Sequence, residues 1–488
     1  MKKILEYSLL LIIMVTFAAS CGKTGPDNQE ERRVLPETFG PNFFGFNLAS
    51  TYYLWNKEVE DKLKSWTTGG DPISTVRNLR YRDNSGTEVD KWTMMTDEFS
   101  TFNKSIEGTS TTFGWSLGFY AGSSSEDEVL AAVRYTAKDT PAEKAGLKRG
   151  DLIVAVDGTR ITKSNFSSLA SGKLYGSGKI SVTLSDGRTV SLTPVTMYEE
   201  PILLTKVFEN GGRKTGYMVF NSFTLDCREG LMEAGRKFRE DGIKDLILDL
   251  RYNSGGYVAT EDLLASILAP RDVVDAGKVF QKEIYNSEIG ENETRFTWNH
   301  ALNSPSMDTR ESNIGIEKLY AIVTGDSASA SEGLLTGLIP YMDVILVGSH
   351  TYGKYCGGIL KSCADWYEEQ KDAIKSIDPE FYTTGKAQSA DWGIYLMVSR
   401  YADVNGKTPS MPSGMEPDIK ADDRPYQEYH LGDPRENMLN AALQAAGFDI
   451  AAASSETATK SGFPNREPAE FKYHSPSFGV RVIQQSLR

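Results

Sequence analysis

The sequence predicts a multidomain α/β protein: a small helical N-terminal domain, a mostly β domain, and an α/β core with a largely parallel sheet. Three observations predict it. Apolar residues at helical spacings dominate the first part of the chain. Short β-type runs joined by Asp-Gly turns follow, and beyond Glu200 buried-type strands alternate with helices.

Composition sets the outer limits. The chain has 488 residues, enough for several domains, with 40% apolar and 24% charged residues. The net charge of −13 and the absence of a basic run exclude a nucleic-acid partner from the expectations.

Residues 1–20 read as an export signal: basic "MKK", apolar "YSLLLIIMVTF", then small "AAS" immediately before Cys21. The apolar run is too short to span a bilayer. The small residues before Cys21 resemble a bacterial lipobox, with Ala18 where Leu is usual. That resemblance implies lipidation of Cys21 and a bacterial cell-envelope protein facing the periplasm or the cell surface. Residues 21–42 then form a polar tether. Of the remaining cysteines, Cys356 and Cys363 are close enough in sequence to be candidates for a disulfide.

Residues 43–110 supply the helical domain, from "FFGFNLASTYYLWNKEVEDKLKSW" to "VDKWTMMTDEFSTFNKSI". Residues 111–198 supply the β domain. There "EVLAAVRYT", "GDLIVAV" and "KISVTL" are strands, Asp157-Gly158 and Asp186-Gly187 are hairpin turns, and "PAEKAG" is a short helix stopped at Gly146. Residues 199–450 supply the core: strand "TGYMVFNSF", helix "REGLMEAGRKFREDG", then the continuous apolar strands "KDLILDLR", "KLYAIVTG" and "DVILVG". Residues 451–488 form a linker-like tail whose last stretch, "SFGVRVIQQSLR", has the pattern of an edge strand.

Three loops follow those apolar strands, where ligands of open α/β sheets bind. In "TGDSASASEG", Asp326 or Ser327 caps a helix, with Ser329 at its first turn, where free N–H groups favour an oxyanion. A nucleophilic serine needs a base. None of the four histidines has a triad context, and no His/Glu pattern has metal-ligand spacing. Lys354, in "GSHTYGKYCGG", is the other option if burial lowers its pKa to about 7–8. In "LDLRYNSGGY", Gly255 and Gly256 allow close backbone approach to a ligand.

Taken in order, "DLRYNSGG", "GDSASASEG" and "VGSHTYGK" resemble the C-terminal processing (tail-specific) proteases, and "TGYMVFNSF" and "SGMEPDI" match further landmarks of that family. The β domain resembles their PDZ domain through "SLGF" and "AGLKRGDLIVAVDG". The resemblance implies a serine endopeptidase with Ser329 as nucleophile and Lys354 as general base. Glu332 would orient the lysine, and Ala330 with Gly255 or Gly256 would form the oxyanion hole. Leu117, Gly118 and Phe119 would be a carboxylate-binding loop, the PDZ domain capturing substrate C-termini or gating access to the cleft. It implies protein or peptide substrates and no metal or organic cofactor. The chain departs from the family where Gly358 replaces a Gln four residues after the lysine and Tyr355 replaces a small residue. The alternatives are a catalytically silent peptide-binding lipoprotein and a structural envelope lipoprotein.

Overall fold

The computed structural model describes residues 34–122, 125–301, 306–427, 429–450, 470–474 and 478–483. The export signal and Cys21 lie outside the described residues, as does most of the tail.

The β domain is a sheet whose strands run Glu470–Phe471, Trp115–Ala121, Val129–Thr136, Leu152–Val156, Ile180–Leu184 and Thr189–Leu192 in spatial order. Asp157 and Gly158 both take positive φ, 49° and 77°, as a tight hairpin turn demands. The short helix Pro141–Lys144 is followed by Gly146 at φ 77°. Phe166–Leu169 and the wider turn Ala170–Leu174 close over the sheet, burying Phe119, Val133, Ile153 and Leu184.

The core holds two sheets. The first has the order Ile202–Asn210, Arg213–Phe220, Asp245–Asp249, Lys318–Val323, Asp343–Gly348 and Ile419–Lys420, antiparallel at the first pair and parallel thereafter. Its central strands are covered on both faces, which explains their unbroken apolar runs. On one side lie the helices Arg228–Asp241, Val258–Leu268 and Ala330–Leu338; on the other lies Asn437–Ala445.

The second sheet is mostly antiparallel and was not anticipated. Its path is Gly256–Tyr257, Arg481–Val482, Cys356–Ser362, Gly393–Ala402, Val279–Tyr285 and Glu291–Arg295, and Met94–Thr96 also pairs with Gly393–Ala402. The largely parallel sheet expected of the core therefore describes only half of it.

The strand that the tail supplies lies inside this second sheet, not at its edge. Arg481–Val482 lies between Gly256–Tyr257 and Cys356–Ser362, parallel to both. Its placement is fixed by the fully buried Arg481, which reaches Glu261 at 3.0 Å, Glu283 at 2.6 Å and Gln281 at 2.7 Å. A guanidinium in a dry site is stable only when paired this fully.

The expected N-terminal domain shares its core with the second sheet. The helix Phe39–Tyr52 is buried on nearly all sides, with Phe39 and Phe43 against Phe381 and with Phe43 and Phe44 against Trp366. It begins four residues inside the expected tether, because Phe39 to Asn42 already pack in the interior. Cys227, Cys356 and Cys363 are free and buried. Cys356 and Cys363 flank the ends of a strand whose rise of about 3.3 Å per residue holds them too far apart to bridge.

Candidate active site

The parallel strands Asp245–Asp249, Lys318–Val323 and Asp343–Gly348 bring their C-terminal loops together at one sheet edge. The serine-rich loop is cross-tied there. Ser327 Oγ donates to Leu250 O at 2.8 Å, and Ser331 Oγ donates to Asn253 O at 2.9 Å. Ser329 Oγ, fully buried, has no hydrogen-bond partner among the described residues. Of the three hydroxyls, only that of Ser329 is left for chemistry. Ser329 caps the helix Ala330–Leu338 with φ 64° and ψ −112°, a backbone that costs a non-glycine residue about 1–3 kcal/mol and is held by its surroundings.

Glu332 supplies much of that hold. Its Oε2 accepts the Ser329 and Lys354 N–H groups, each at 2.9 Å, while Oε1 accepts Gly353 N–H at 2.7 Å and the Thr351 hydroxyl at 2.5 Å. Burial raises its pKa to about 7, against the four donors that favour the carboxylate. Glu332 thus positions the lysine through its backbone and does not touch the ammonium. Tyr401 works on the same two residues from the other side, donating to Lys354 O at 2.7 Å with Ser329 O at 3.4 Å.

Lys354 is fully buried, and desolvation pushes its pKa down to about 8. Its Nζ donates to Tyr395 Oη at 2.9 Å and to Gly479 O, and it sits 5.0 Å from the Trp92 and Tyr395 ring centroids. In this conformation it is not hydrogen-bonded to Ser329 Oγ. The Gly358 departure fits this arrangement. A Cβ on Gly358 would lie 2.5 Å from Met397 Cε and 2.7 Å from both Leu396 O and Tyr395 Cε2, so the missing side chain makes room for the neighbouring strand that carries Tyr395.

The expected oxyanion donors separate. Gly255 N–H is taken by Asn253 Oδ1 at 3.0 Å, and Gly256 N–H by Val480 O at 2.7 Å. Ala330 N–H, the first of its helix, makes no hydrogen bond among the described residues. Gly255 still lies against Ser329: a Cβ built on it would be 2.8 Å from Ser329 Cβ and 3.2 Å from Ala330 N.

Leu117, Gly118 and Phe119 are not a loop. They are interior positions of the strand Trp115–Ala121, paired with Val133, Ala132 and Ala131. The Leu117 N–H donates to Tyr175 Oη at 3.0 Å.

Sequence reasoning missed Tyr395, Trp92, Tyr401, Gly479 and Val480. No short motif marks them, and Gly479 is 125 residues from the lysine it contacts. His474, unassigned from sequence, stacks on Phe478 with centroids 3.7 Å apart and has Nε2 3.4 Å from Asp326 Oδ1. Arg134 holds the Asp326 carboxyl, at 2.9 Å, well below the usual carboxylate range despite burial. Among the described residues, no group of three or more His, Cys, Asp or Glu could hold a metal ion, and no helix is long and apolar enough to cross a membrane.

Comparison with known proteins bears on the same residues. Residues 214–421 match the profile of Peptidase family S41, and residues 133–172 match that of a PDZ domain. A "Probable CtpA-like serine protease" of Staphylococcus aureus (strain bovine RF122 / ET3-1) is 26% identical over 365 residues, covering 72% of this chain and 63% of its own length. The protein of the same name in Staphylococcus saprophyticus is 26% identical over 326 residues, covering 64% of this chain and 57% of its own. The chain thus spans less than two thirds of these relatives. A crystal structure from Bacteroides fragilis NCTC 9343, described as an S41 protease, matches with a TM-score of 0.60 at 18% identity, covering 88% of this chain and 99% of that one. At that identity the likeness concerns the fold.

Proposed function

We propose that this chain, whose residues 214–421 match peptidase family S41 and whose residues 133–172 match a PDZ domain, is a serine endopeptidase acting through Ser329 and Lys354. One observation carries the reading. The only hydroxyl of the serine-rich loop left unpartnered stands at a helix N-terminus, in a strained turn that shares its carboxylate anchor with a buried lysine of lowered pKa.

The chemistry follows from those groups. Lys354 Nζ, neutral, leaves Gly479 O for Ser329 Oγ and takes its proton as the oxygen attacks a peptide carbonyl. Ala330 N–H meets the developing oxyanion at the positive end of the helix, and Gly255 N–H joins it on release from Asn253. The lysine then protonates the leaving amine, and water cleaves the acyl-enzyme by the same route. The PDZ domain binds the substrate's extended C-terminal segment. Export, a lipid anchor on Cys21 and a bacterial cell-envelope location are part of the proposal, supported by the pattern of residues 1–21 alone.

Incubating purified wild type and Ser329→Ala with an unfolded protein tests the reading. Cleavage by the wild type alone supports it, and equal cleavage by both removes Ser329 from the mechanism. No cleavage by either favours the silent peptide-binding alternative, for which the comparisons offer nothing.

A further inference from the structure

The strand Trp115–Ala121 pairs on one side with Val129–Thr136. On the other side its partner is a piece of the chain's own tail, Glu470–Phe471, antiparallel with Phe471 opposite Phe119 and Glu470 opposite Tyr120. Beyond this pairing the tail continues along the groove between that strand and the Phe166–Leu174 segment. The Phe471 ring lies 5.4 Å from Phe166, while Tyr473 stacks on Tyr175 at 5.5 Å and meets Phe119 edge-on at 6.2 Å. Phe471 and Tyr473 are two residues apart, so in an extended chain they share the face that enters the groove. The intervening polar residues hold the segment by charge: Glu470 to Arg134 at 2.7 Å, and Lys472 to Glu470 at 2.8 Å and to Asp326 at 3.8 Å. Strand addition with alternate side chains in pockets is how a sheet edge captures a peptide.

The two described parts of the tail differ in how firmly they are fixed. Residues 480–483 are buried, and Arg481 is locked by its carboxylates. In the groove, Phe471 and Tyr473 are only partly buried, and the side chains of Lys472, His474 and Glu470 are 50%, 30% and 28% exposed. The groove segment is therefore the part that can leave while the anchor stays.

We propose that residues 470–474 fill the chain's own peptide groove as an intramolecular ligand, and that its external ligands are extended segments with aromatic side chains two positions apart, which bind by displacing it. The inference rests on reading this domain as a peptide receptor. A tethered ligand has an effective concentration of about 1 mM, so even a groove with a dissociation constant of about 0.1 mM is about nine-tenths occupied and binds competitors about tenfold more weakly. Displacement also couples to catalysis, because Phe478 and Gly479, just beyond the groove segment, contact Tyr352 and Lys354 Nζ.

The test uses the full chain carrying Ser329→Ala, with and without Phe471→Ala plus Tyr473→Ala. The probe is a fluorescein-labelled peptide of residues 470–474, Glu-Phe-Lys-Tyr-His, followed by anisotropy. The opened chain is expected to bind the probe at least about tenfold more tightly than its parent, and Phe166→Ala in the opened chain is expected to abolish binding. Glu470→Lys, a milder surface change that breaks the Arg134 pair, is expected to raise probe affinity in the same direction. Equal affinity in parent and opened chains, no binding to the opened chain, or binding that survives Phe166→Ala overturns the proposal. Every chain lacks the nucleophile, so failure of the peptidase reading leaves this result standing. Cleavage that depends on Ser329, with unchanged probe affinity, removes the groove ligand alone.

Discussion

Ser329 and Lys354, 25 residues apart in sequence, donate their backbone N–H groups to the same oxygen, Glu332 Oε2, each at 2.9 Å. One carboxylate thereby fixes the distance between Ser329 and Lys354 at the backbone level, without holding either side chain. Glu332→Ala strands four buried donors. The expected loss is about 3–5 kcal/mol of stability, read by denaturant unfolding, with cleavage abolished in the protein that still folds.

The ammonium of Lys354 is held separately, by Tyr395 Oη and Gly479 O. Tyr395→Phe removes an acceptor that favours the charged lysine, so the lysine pKa falls further. The rising limb of the pH–rate profile should then move to lower pH, while kcat drops about 10–100-fold through loss of positioning. A loss of kcat with an unmoved limb would mean that the tyrosine acts only through packing.

As the proposed general base, Lys354 would work only when neutral, and burial pushes its pKa down to about 8. Activity should therefore rise as pH increases through about 8 and be small near pH 6, measured as kcat/KM on a peptide substrate. Lys354→Arg, which cannot lose its proton, is expected to be inactive at every pH.

How much of this was legible in the sequence depends on the range of each contact. Ser329, Glu332 and Lys354 stand in short loops after strands apolar enough to be recognised, so their convergence at one sheet edge was readable. The second sheet was not, because Gly393–Ala402 pairs with Met94–Thr96, Val279–Tyr285 and Cys356–Ser362, segments that carry no mutual signal. The helix Phe39–Tyr52 is buried on nearly all sides, with Asn42, Asn47 and Ser50 among its buried residues, so no apolar stripe pointed to its partners. The tail looked like a linker with an edge strand because its anchor, Arg481, is a charged residue that only a buried carboxylate pair makes an interior one.

Gly255 takes φ 116°, and a Cβ there would lie 2.7 Å from Val480 O and 2.8 Å from Ser329 Cβ. Gly255→Ala must move either Ser329 or the tail. It is expected to lower stability by about 1–3 kcal/mol and to reduce cleavage far more than Gly325→Ala, whose Cβ meets nothing within 4 Å.

On the proposed mechanism Ser329 is a nucleophile activated by Lys354. Treating the full chain with a fluorophosphonate at alkaline pH and locating the adduct by peptide mass spectrometry tests it most directly. The account predicts one adduct on Ser329, retained in Ser327→Ala and Ser331→Ala and lost in Lys354→Met. An adduct on another serine, or undiminished labelling of Ser329 in Lys354→Met, would contradict it.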